Sequence, residues 1–137
     1  MEKSNLKTVL LVDDDDATNF IHRCVIESTG FVDNVVVVED GREAIEYLQK
    51  NKEQNEALPN IIFLDLNMPL MDGWEVIDKL KELNITQKDG TFVCILTTSE
   101  NPEDLEKAKN IELVDEYLTK LLDKDKFTNI VLEHWKD

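Results

Sequence analysis

Acidic, hydroxyl and basic side chains stand directly after the apolar runs of this sequence. The run TVLLV is followed by Asp13 and Asp14, and the run IIFL is followed by Asp65. The run FVCIL precedes Thr97, and EYLT precedes Lys120. Carboxylates that meet at one point raise one another's pKa unless a cation joins them. Because oxygen ligands without His or Cys favour Mg²⁺, the acidic residues are candidate ligands of that ion.

The same set of residues has the parts needed to accept a phosphoryl group. Asp65, as an ionised aspartate beside a divalent cation, would be a nucleophile toward a phosphoryl group and would form an acyl phosphate. The oxygens of the transferred group then need neutralising, by the metal on one side and by Lys120 on the other. The hydroxyl of Thr97 could donate a hydrogen bond to one of those oxygens. The combination therefore predicts a magnesium-dependent phosphoacceptor site.

Each of these residues also has an ordinary explanation when it is taken alone. Asp16 is a candidate helix cap, and Asp13 and Asp14 could form a solvated turn. Thr97 could bond the backbone at a strand end, and Lys120 could be a surface lysine. Only the combination favours a site over these alternatives.

The elements that would position these residues follow from the alternation of apolar runs and amphipathic stretches. Five strands are predicted: Thr8–Val12, Asn34–Val38, Asn60–Leu64, Phe92–Thr97 and Val114–Thr119. Most of them are continuous apolar runs, which are typical of parallel strands covered on both faces. Stripes of apolar residues predict a helix after each strand. The first stripe comprises Phe20, Ile21, Cys24 and Val25.

The starts of the later helices are predicted from capping residues. Asp40, Asn101 and Asp123 are candidate caps, with Pro102 at the first position of the fourth helix. The polar segment Asn51–Ala57 is predicted to be a loop before the third strand. Strand–helix repeats of this length imply right-handed crossovers and a doubly wound parallel sheet. Ligands bind such sheets beyond the carboxyl ends of the strands, where the candidate residues stand.

Composition limits the class of protein. The 137 residues fit one domain, and 30 acidic against 15 basic residues give a net charge of −15. This charge argues against nucleic-acid binding, whose affinity comes largely from Lys and Arg. No apolar run approaches the roughly 20 residues that cross a bilayer, and the N-terminus lacks a signal peptide's apolar stretch, which predicts a cytoplasmic protein without membrane insertion. Cys24 and Cys94 lack ligand spacing and are predicted to be reduced core residues.

Four motifs resemble those of the receiver domain of two-component response regulators. LLVDDD, FLDLNMPLMDGWEV, ILTTS and YLTK occur in the family's order, and the likeness covers nearly the whole chain. The resemblance implies a (βα)5 flavodoxin-like α/β fold with a five-stranded parallel sheet. It implies the strand order 2-1-3-4-5, with helices on both faces. It further implies a single receiver domain over residues 1–137, with a core of about 7–135, and no output domain.

The resemblance also implies a role for each acidic residue. Asp65 matches the phosphorylated aspartate, and Asp14 matches the direct Mg²⁺ ligand. Asp13 matches the acidic residue that reaches the metal mostly through water. The backbone carbonyl of Asn67, two residues after the acceptor, corresponds to a further metal ligand.

The remaining matches lie on the fourth and fifth strands. Thr97 matches the switch hydroxyl, Lys120 the phosphate-binding lysine, and Tyr117 the aromatic switch position. Leu121 departs from the pattern, because the family usually has Pro there, after a cis bond. A cis bond before a non-proline residue costs about 2.5–4 kcal/mol, so the resemblance leaves the conformation of this bond open.

The function implied is that of a stand-alone response regulator that is not an enzyme beyond its own phosphotransfer and autodephosphorylation. A histidine kinase or histidine phosphotransfer protein would phosphorylate Asp65. The output would be a protein contact, on the fourth helix, fifth strand and fifth helix, with an unidentified downstream partner. A monomer or weak dimer is expected. The alternatives are a degenerate receiver that binds partners without phosphorylation, and an aspartyl-phosphate phosphohydrolase. The latter is disfavoured because Asn67 lacks the carboxylate its chemistry needs two residues after the nucleophile.

Overall fold

Five strands alternate with five helices in the structure, a computed structural model that describes residues 6–54, 58–85 and 90–135. In chain order the elements are β1 (Leu6–Val12), α1 (Asp16–Thr29), β2 (Val32–Val38), α2 (Gly41–Glu53), β3 (Ile61–Leu64), α3 (Gly73–Glu82), β4 (Phe92–Thr97), α4 (Pro102–Lys109), β5 (Glu116–Thr119) and α5 (Lys124–His134). Within these described segments, no helix is both long and apolar enough to cross a membrane.

The strands form one parallel sheet in the order β2-β1-β3-β4-β5, which confirms the predicted topology. Val12, the last residue of β1, lies level with Leu64, the last residue of β3. Asp13 and Asp65 follow these two residues, so the register places them side by side beyond the sheet. Thr97 ends the neighbouring strand β4 at the same edge.

The core consists of two apolar layers, one on each face of the sheet. Successive residues of β1 and β3 point to opposite faces of the sheet. Leu10 and Ile62 therefore belong to one layer, and Leu11 and Phe63 to the other. The first layer packs against α2, α3 and α4, and the second against α1 and α5. All residues of β3 and β4 are buried, which explains their continuous apolar runs.

Helix caps agree with three sequence predictions. The side chains of Asp40, Asn101 and Asp123 each accept a hydrogen bond from a backbone N–H in the first turn of α2, α4 and α5. Asp72 and Glu75 form a reciprocal capping box at the start of α3, which fixes the helix that follows the Asp65 loop.

The start of α1 differs from its prediction. Asp15, not Asp16, is the N-cap, with extended dihedral angles of φ −95° and ψ 109°. Its carboxylate accepts a hydrogen bond from the Thr18 hydroxyl at 2.5 Å instead of from a backbone N–H. Asp16 already lies in the first turn, where its charge favours the positive end of the helix.

The buried face of α1 was also predicted wrongly. The expected apolar stripe points outward: Phe20 is 68% exposed, Ile21 41% exposed, and Cys24 is exposed. Cys94 is buried, as predicted. The buried residues of α1 are instead mostly polar: Thr18, Asn19, His22, Ile26 and Thr29.

Element boundaries shift by a few residues elsewhere. β1 and β2 each begin two residues earlier than predicted, and β5 begins two residues later, at Glu116. α2 continues to Glu53, three residues into the predicted loop, with the positive charges of Lys50 and Lys52 in its last turn, where they favour the negative end of the helix. The end of that predicted loop, residues 55–57, lies outside the described residues.

Candidate functional site

Three carboxylates meet at the carboxyl edge of the sheet. Asp13, Asp14 and Asp65 each offer an oxygen, and these oxygens all lie within 4.8 Å of one another. The backbone ladder holds two of them, because Asp65 N–H donates to the Val12 carbonyl at 3.0 Å and Asp13 N–H to the Val38 carbonyl at 3.2 Å. Asp13 and Asp65 are each only 5% exposed, whereas Asp14 faces solvent.

This donor set fits a small divalent cation. Opposite oxygens of a Mg²⁺ ion lie about 4.2 Å apart, twice the roughly 2.1 Å length of a Mg–O bond. One oxygen of each of the three carboxylates lies within 4.8 Å of the others, which is compatible with ligands of a single ion of this size. The cluster contains only carboxylate donors, which suits Mg²⁺ or Mn²⁺ better than Zn²⁺.

Lys120 supplies the positive charge on the other side of the cluster. Its Nζ lies 2.5 Å from Asp13 Oδ2 and 3.4 Å from Asp65 Oδ2, and the lysine side chain is 10% exposed. Burial alone would lower the pKa of Lys120, but the hydrogen bond to Asp13 and the attraction of Asp65 outweigh it, and the pKa rises. The ammonium group therefore stays charged in the neutral range.

The charges and hydrogen bonds around Asp65 do not fully offset the effect of burial on its pKa. Its pKa is raised, first by burial and then by the negative charge of Asp13, against the lowering effect of Lys120 and of the Asn67 backbone N–H. A single lysine shared between two buried carboxylates leaves the cluster short of positive charge. A divalent cation beside Asp65 would correct this and favour the ionised, nucleophilic form.

The hydroxyls of Thr97 and Tyr117 converge on one residue of the loop between β4 and α4. Thr97 is fully buried, and its Oγ1 accepts a hydrogen bond from Ser99 N–H at 3.3 Å. The half-buried Tyr117 donates its hydroxyl to the Ser99 carbonyl at 3.3 Å. Ser99 in turn donates its own hydroxyl to Asp104, in the first turn of α4, at 2.5 Å. The loop thus connects Thr97 at the strand end to α4.

The loop after Asp65 is tight and requires glycine at its end. Gly73 N–H donates to the Leu66 carbonyl at 3.0 Å. A Cβ on Gly73 would lie 2.5 Å from the Asp65 carbonyl oxygen and 2.8 Å from Leu66 Cα. The other end of the site contains the Lys120–Leu121 peptide bond, which is cis.

Two candidate functional residues on α1, Asn19 and His22, were not predicted from the sequence. Asn19 donates its side-chain amide to the Asp13 carbonyl at 2.8 Å, and His22 accepts a hydrogen bond from Leu122 N–H at 3.1 Å through Nε2. The available signal was a polar pair at helical i, i+3 spacing directly after the acidic run. Because the apolar stripe on another face of the helix was predicted to be buried, this polar pair was not recognised.

Comparison with protein families gives a match over most of the chain. The family model described as the response regulator receiver domain matches residues 9–132. Among curated proteins, the response regulator Rcp1 of Synechocystis is 33% identical over 120 residues, covering 87% of this chain and 80% of that protein. The probable methanogenesis regulatory protein FilR2 of Methanothrix harundinacea is 31% identical, covering 93% of this chain and 82% of that protein.

The solved structures to which this chain is similar also include response regulators. A two-component response regulator from Cytophaga hutchinsonii superposes with a TM-score of 0.86 at 35% identity, covering 94% of this chain and 96% of that chain. The Mn²⁺-bound form of the response regulator Rcp1 superposes with a TM-score of 0.72 at 33% identity, covering 94% of each chain.

Proposed function

Because the chain belongs to the family of response regulator receiver domains, which are signalling domains and not classical enzymes, we propose that it accepts a phosphoryl group on Asp65. The observation that carries this proposal is the position of the Asp65 carboxylate. It lies among the carboxylates of Asp13 and Asp14 on one side and 3.4 Å from the ammonium group of Lys120 on the other. The donor would be a histidine kinase or a histidine phosphotransfer protein.

In the proposed reaction an oxygen of Asp65 attacks the phosphorus atom of phosphohistidine. A P–O bond forms while the P–N bond breaks, and the donor's imidazole, protonated on its other ring nitrogen, leaves with the bonding electrons as the neutral ring. The ammonium group of Lys120, held cationic by its two carboxylate neighbours, neutralises charge on the transferred oxygens. No general base is needed, because Asp65 reacts as the carboxylate.

We assign Mg²⁺ to the acidic cluster as the cofactor of this reaction. Asp14 and Asp65 would ligate it directly, Asp13 through water, and Asn67 through its backbone carbonyl. When bound, the ion supplies Lewis-acid neutralisation of the phosphoryl oxygens. The close oxygens of the three carboxylates support this assignment, as does the Mn²⁺-bound structure of the similar protein Rcp1.

The output of the proposed switch would pass through Thr97. On phosphorylation its hydroxyl would leave Ser99 N–H and donate to a phosphoryl oxygen, and the loop carrying Ser99 would follow. Because the Tyr117 and Asp104 side chains both bond to Ser99, this movement would change the surface formed by α4, β5 and α5. A downstream protein would bind that surface in one of its two states.

Phosphate incorporation from acetyl phosphate tests the proposed function. We expect the protein to incorporate one phosphoryl group in the presence of Mg²⁺ and none in excess EDTA. Asp65→Asn should abolish incorporation, whereas the control Asp78→Asn, on the exposed face of α3, should retain it. Equal incorporation by the Asp65→Asn variant would contradict the proposal, and no incorporation by the unaltered protein would favour a phosphorylation-independent binding module.

A further inference from the structure

The first helix buries polar side chains at the end of the sheet where the phosphoacceptor site lies. Asn19 is 4% exposed and His22 2% exposed, while the apolar Phe20 between them faces solvent. Burying an amide or an imidazole costs free energy unless its polar atoms find partners. The partners found by these two side chains indicate why they are buried.

Both partners are backbone groups of the proposed site. The Asn19 amide donates to the carbonyl of Asp13, in the acidic cluster, at 2.8 Å. The Nε2 atom of His22 accepts from Leu122 N–H, two residues after Lys120, at 3.1 Å. Residues at i and i+3 lie on one face of a helix, so a single turn of α1 bonds to both sides of the site.

The hydrogen bond of His22 fixes the segment that carries Lys120. Leu122 is 1% exposed, and among the described residues the partner of its N–H is the His22 imidazole, in a buried hydrogen bond. On the other side of this segment, Lys126 Nζ donates to the Leu121 carbonyl at 3.2 Å. The chain after Lys120 is therefore held from α1 and from α5, and the lysine side chain starts from a fixed backbone.

The imidazole is in the state that this bond requires. An Nε2 atom that accepts a hydrogen bond carries no proton, so the neutral ring has its proton on Nδ1. Burial lowers the pKa of His22, and Lys120 lowers it further against the opposing effect of Asp13, which keeps the ring neutral.

The polar pair does not optimise packing. Asn19 Oδ1 is buried without a hydrogen-bond partner among the described residues. A small cavity adjoins the pair, lined by Leu11, Val12, Asp13, Asn19, His22, Phe63, Asp65 and Leu96. An apolar side chain would fill this space without an unpaired oxygen. The contribution of the pair is therefore better explained by the backbone groups that it positions.

We propose that His22 is a positioning residue for the phosphoacceptor reaction, which orients Lys120 through the backbone of Leu122, while Asn19 holds the backbone of Asp13 on the opposite side. This inference rests on the proposed function of Asp65. Neither side chain touches the reacting atoms, and both act through the segments to which they bond.

A pair of substitutions at position 22 tests the proposal. Leucine removes the acceptor at similar volume, and glutamine keeps an acceptor at nearly the position of Nε2. We expect His22→Leu to lower the rate of phosphorylation by acetyl phosphate about tenfold, because displacing a catalytic group by a fraction of an ångström is costly. His22→Gln should retain a rate within about twofold of the unaltered protein, since the Leu122 N–H keeps an acceptor.

Thr29→Val is the matched control at the opposite end of α1. Thr29 also makes hydrogen bonds, a buried one to the Ile26 carbonyl and a partly buried one from Phe31 N–H, and neither involves the site. We expect the unfolding midpoint of Thr29→Val to fall, as that of His22→Leu does, while the phosphorylation rate of Thr29→Val stays unchanged. An unchanged rate in His22→Leu, or an equal loss in Thr29→Val, would overturn the positioning role and leave the function of Asp65 intact.

A measurement on the unaltered protein remains decisive if His22→Leu does not fold. Long-range ¹H–¹⁵N spectra should show the Nδ1–H tautomer of His22, with a slowly exchanging Leu122 amide. An Nε2–H tautomer or a rapidly exchanging amide would refute the hydrogen bond and with it the proposal. If the unaltered protein shows the expected tautomer but accepts no phosphate, the proposed function of Asp65 is wrong, while the hydrogen bond between His22 and Leu122 stands.

Discussion

Replacing Lys120 by methionine would remove the cation that lies between Asp13 and Asp65. Methionine retains most of the apolar stem and the volume of lysine, so the change acts mainly on charge. The lysine contacts Asp13 at 2.5 Å and Asp65 at 3.4 Å, and all three side chains are at most 10% exposed. The variant therefore leaves two buried carboxylates facing each other without a counter-ion.

The size of the loss follows from this burial. Removing one partner of a buried ion pair costs about 3–5 kcal/mol, because the remaining charge is left uncompensated. The site opens to solvent at Asp14, so water partly solvates the remaining carboxylates. We therefore expect a loss of about 2–4 kcal/mol of unfolding free energy at pH 8 without divalent cations. A domain typically has about 5–15 kcal/mol in total, so urea unfolding monitored by tryptophan fluorescence in EDTA would resolve it.

The pH dependence of the loss gives a second check. In the unaltered protein burial raises the pKa of Asp65 and Lys120 lowers it, so removing the lysine raises this pKa further. A carboxyl whose pKa is raised on folding contributes stability below its unfolded pKa, and this contribution is lost as the pH rises through the folded pKa. The stability difference between Lys120→Met and the unaltered protein should therefore be larger at pH 8 than at pH 5.

Magnesium provides the third arm of the experiment. A ligand at about 100 times its dissociation constant stabilises the folded state by about 2.7 kcal/mol. Mg²⁺ should stabilise Lys120→Met more than the unaltered protein, because the ion replaces the missing charge without competing with an ammonium group. The control Lys79→Met removes a lysine that is 48% exposed and 3.6 Å from Glu82, and should cost less than about 1 kcal/mol. Equal stability of Lys120→Met and the unaltered protein at pH 8 in EDTA, or a larger difference at pH 5, would refute the electrostatic reasoning.

Three further substitutions test other parts of the site. Asp65→Asn should raise the urea midpoint at pH 8 in EDTA, because burial disfavours the charged carboxylate; a lowered midpoint would contradict this. Gly73→Ala should lower the unfolding free energy by about 1–3 kcal/mol, since its Cβ would lie 2.5 Å from the Asp65 carbonyl oxygen, and unchanged thermal unfolding would speak against that contact. Thr97→Val should leave phosphate incorporation measurable but abolish any phosphorylation-dependent change in the near-ultraviolet circular dichroism of Tyr117; retention of that change would refute the proposed coupling.

The strands and the acidic cluster could be predicted because their signals are local. Continuous apolar runs indicate buried parallel strands, and in a parallel sheet the residues after such runs must share one edge. This is why Asp13, Asp65 and Lys120 could be placed together before their distances were known. The caps at Asp40 and Asn101 were predictable for the same reason, since each side chain bonds within its own first turn.

The buried face of α1 could not be predicted from its apolar pattern. Periodicity counts apolar side chains, and it selected the stripe that contains Phe20 and Ile21, which the structure exposes. Asn19 and His22 are buried because backbone groups distant in sequence satisfy them, and one of these donors is 100 residues away, at Leu122. No pattern within the helix contains that information.

The capping error at the start of α1 has a similar cause. Four consecutive aspartates offer the same capping chemistry, so composition alone does not fix the position at which the helix begins. Asp15 becomes the N-cap because Asp13 is held by the strand ladder and accepts Asp15 N–H on its own carboxylate at 3.0 Å. The long-range strand pairing thus decides which aspartate caps the helix.

Chemical trapping of the acceptor residue tests the central claim most directly. After incubation with acetyl phosphate and Mg²⁺, borohydride reduction converts an aspartyl phosphate to homoserine, which peptide mass spectrometry assigns to one position. We predict homoserine at position 65, dependent on Mg²⁺ and absent from Asp65→Asn. Homoserine at position 13 or 14 instead, or none at position 65 under conditions that phosphorylate the protein, would contradict the account.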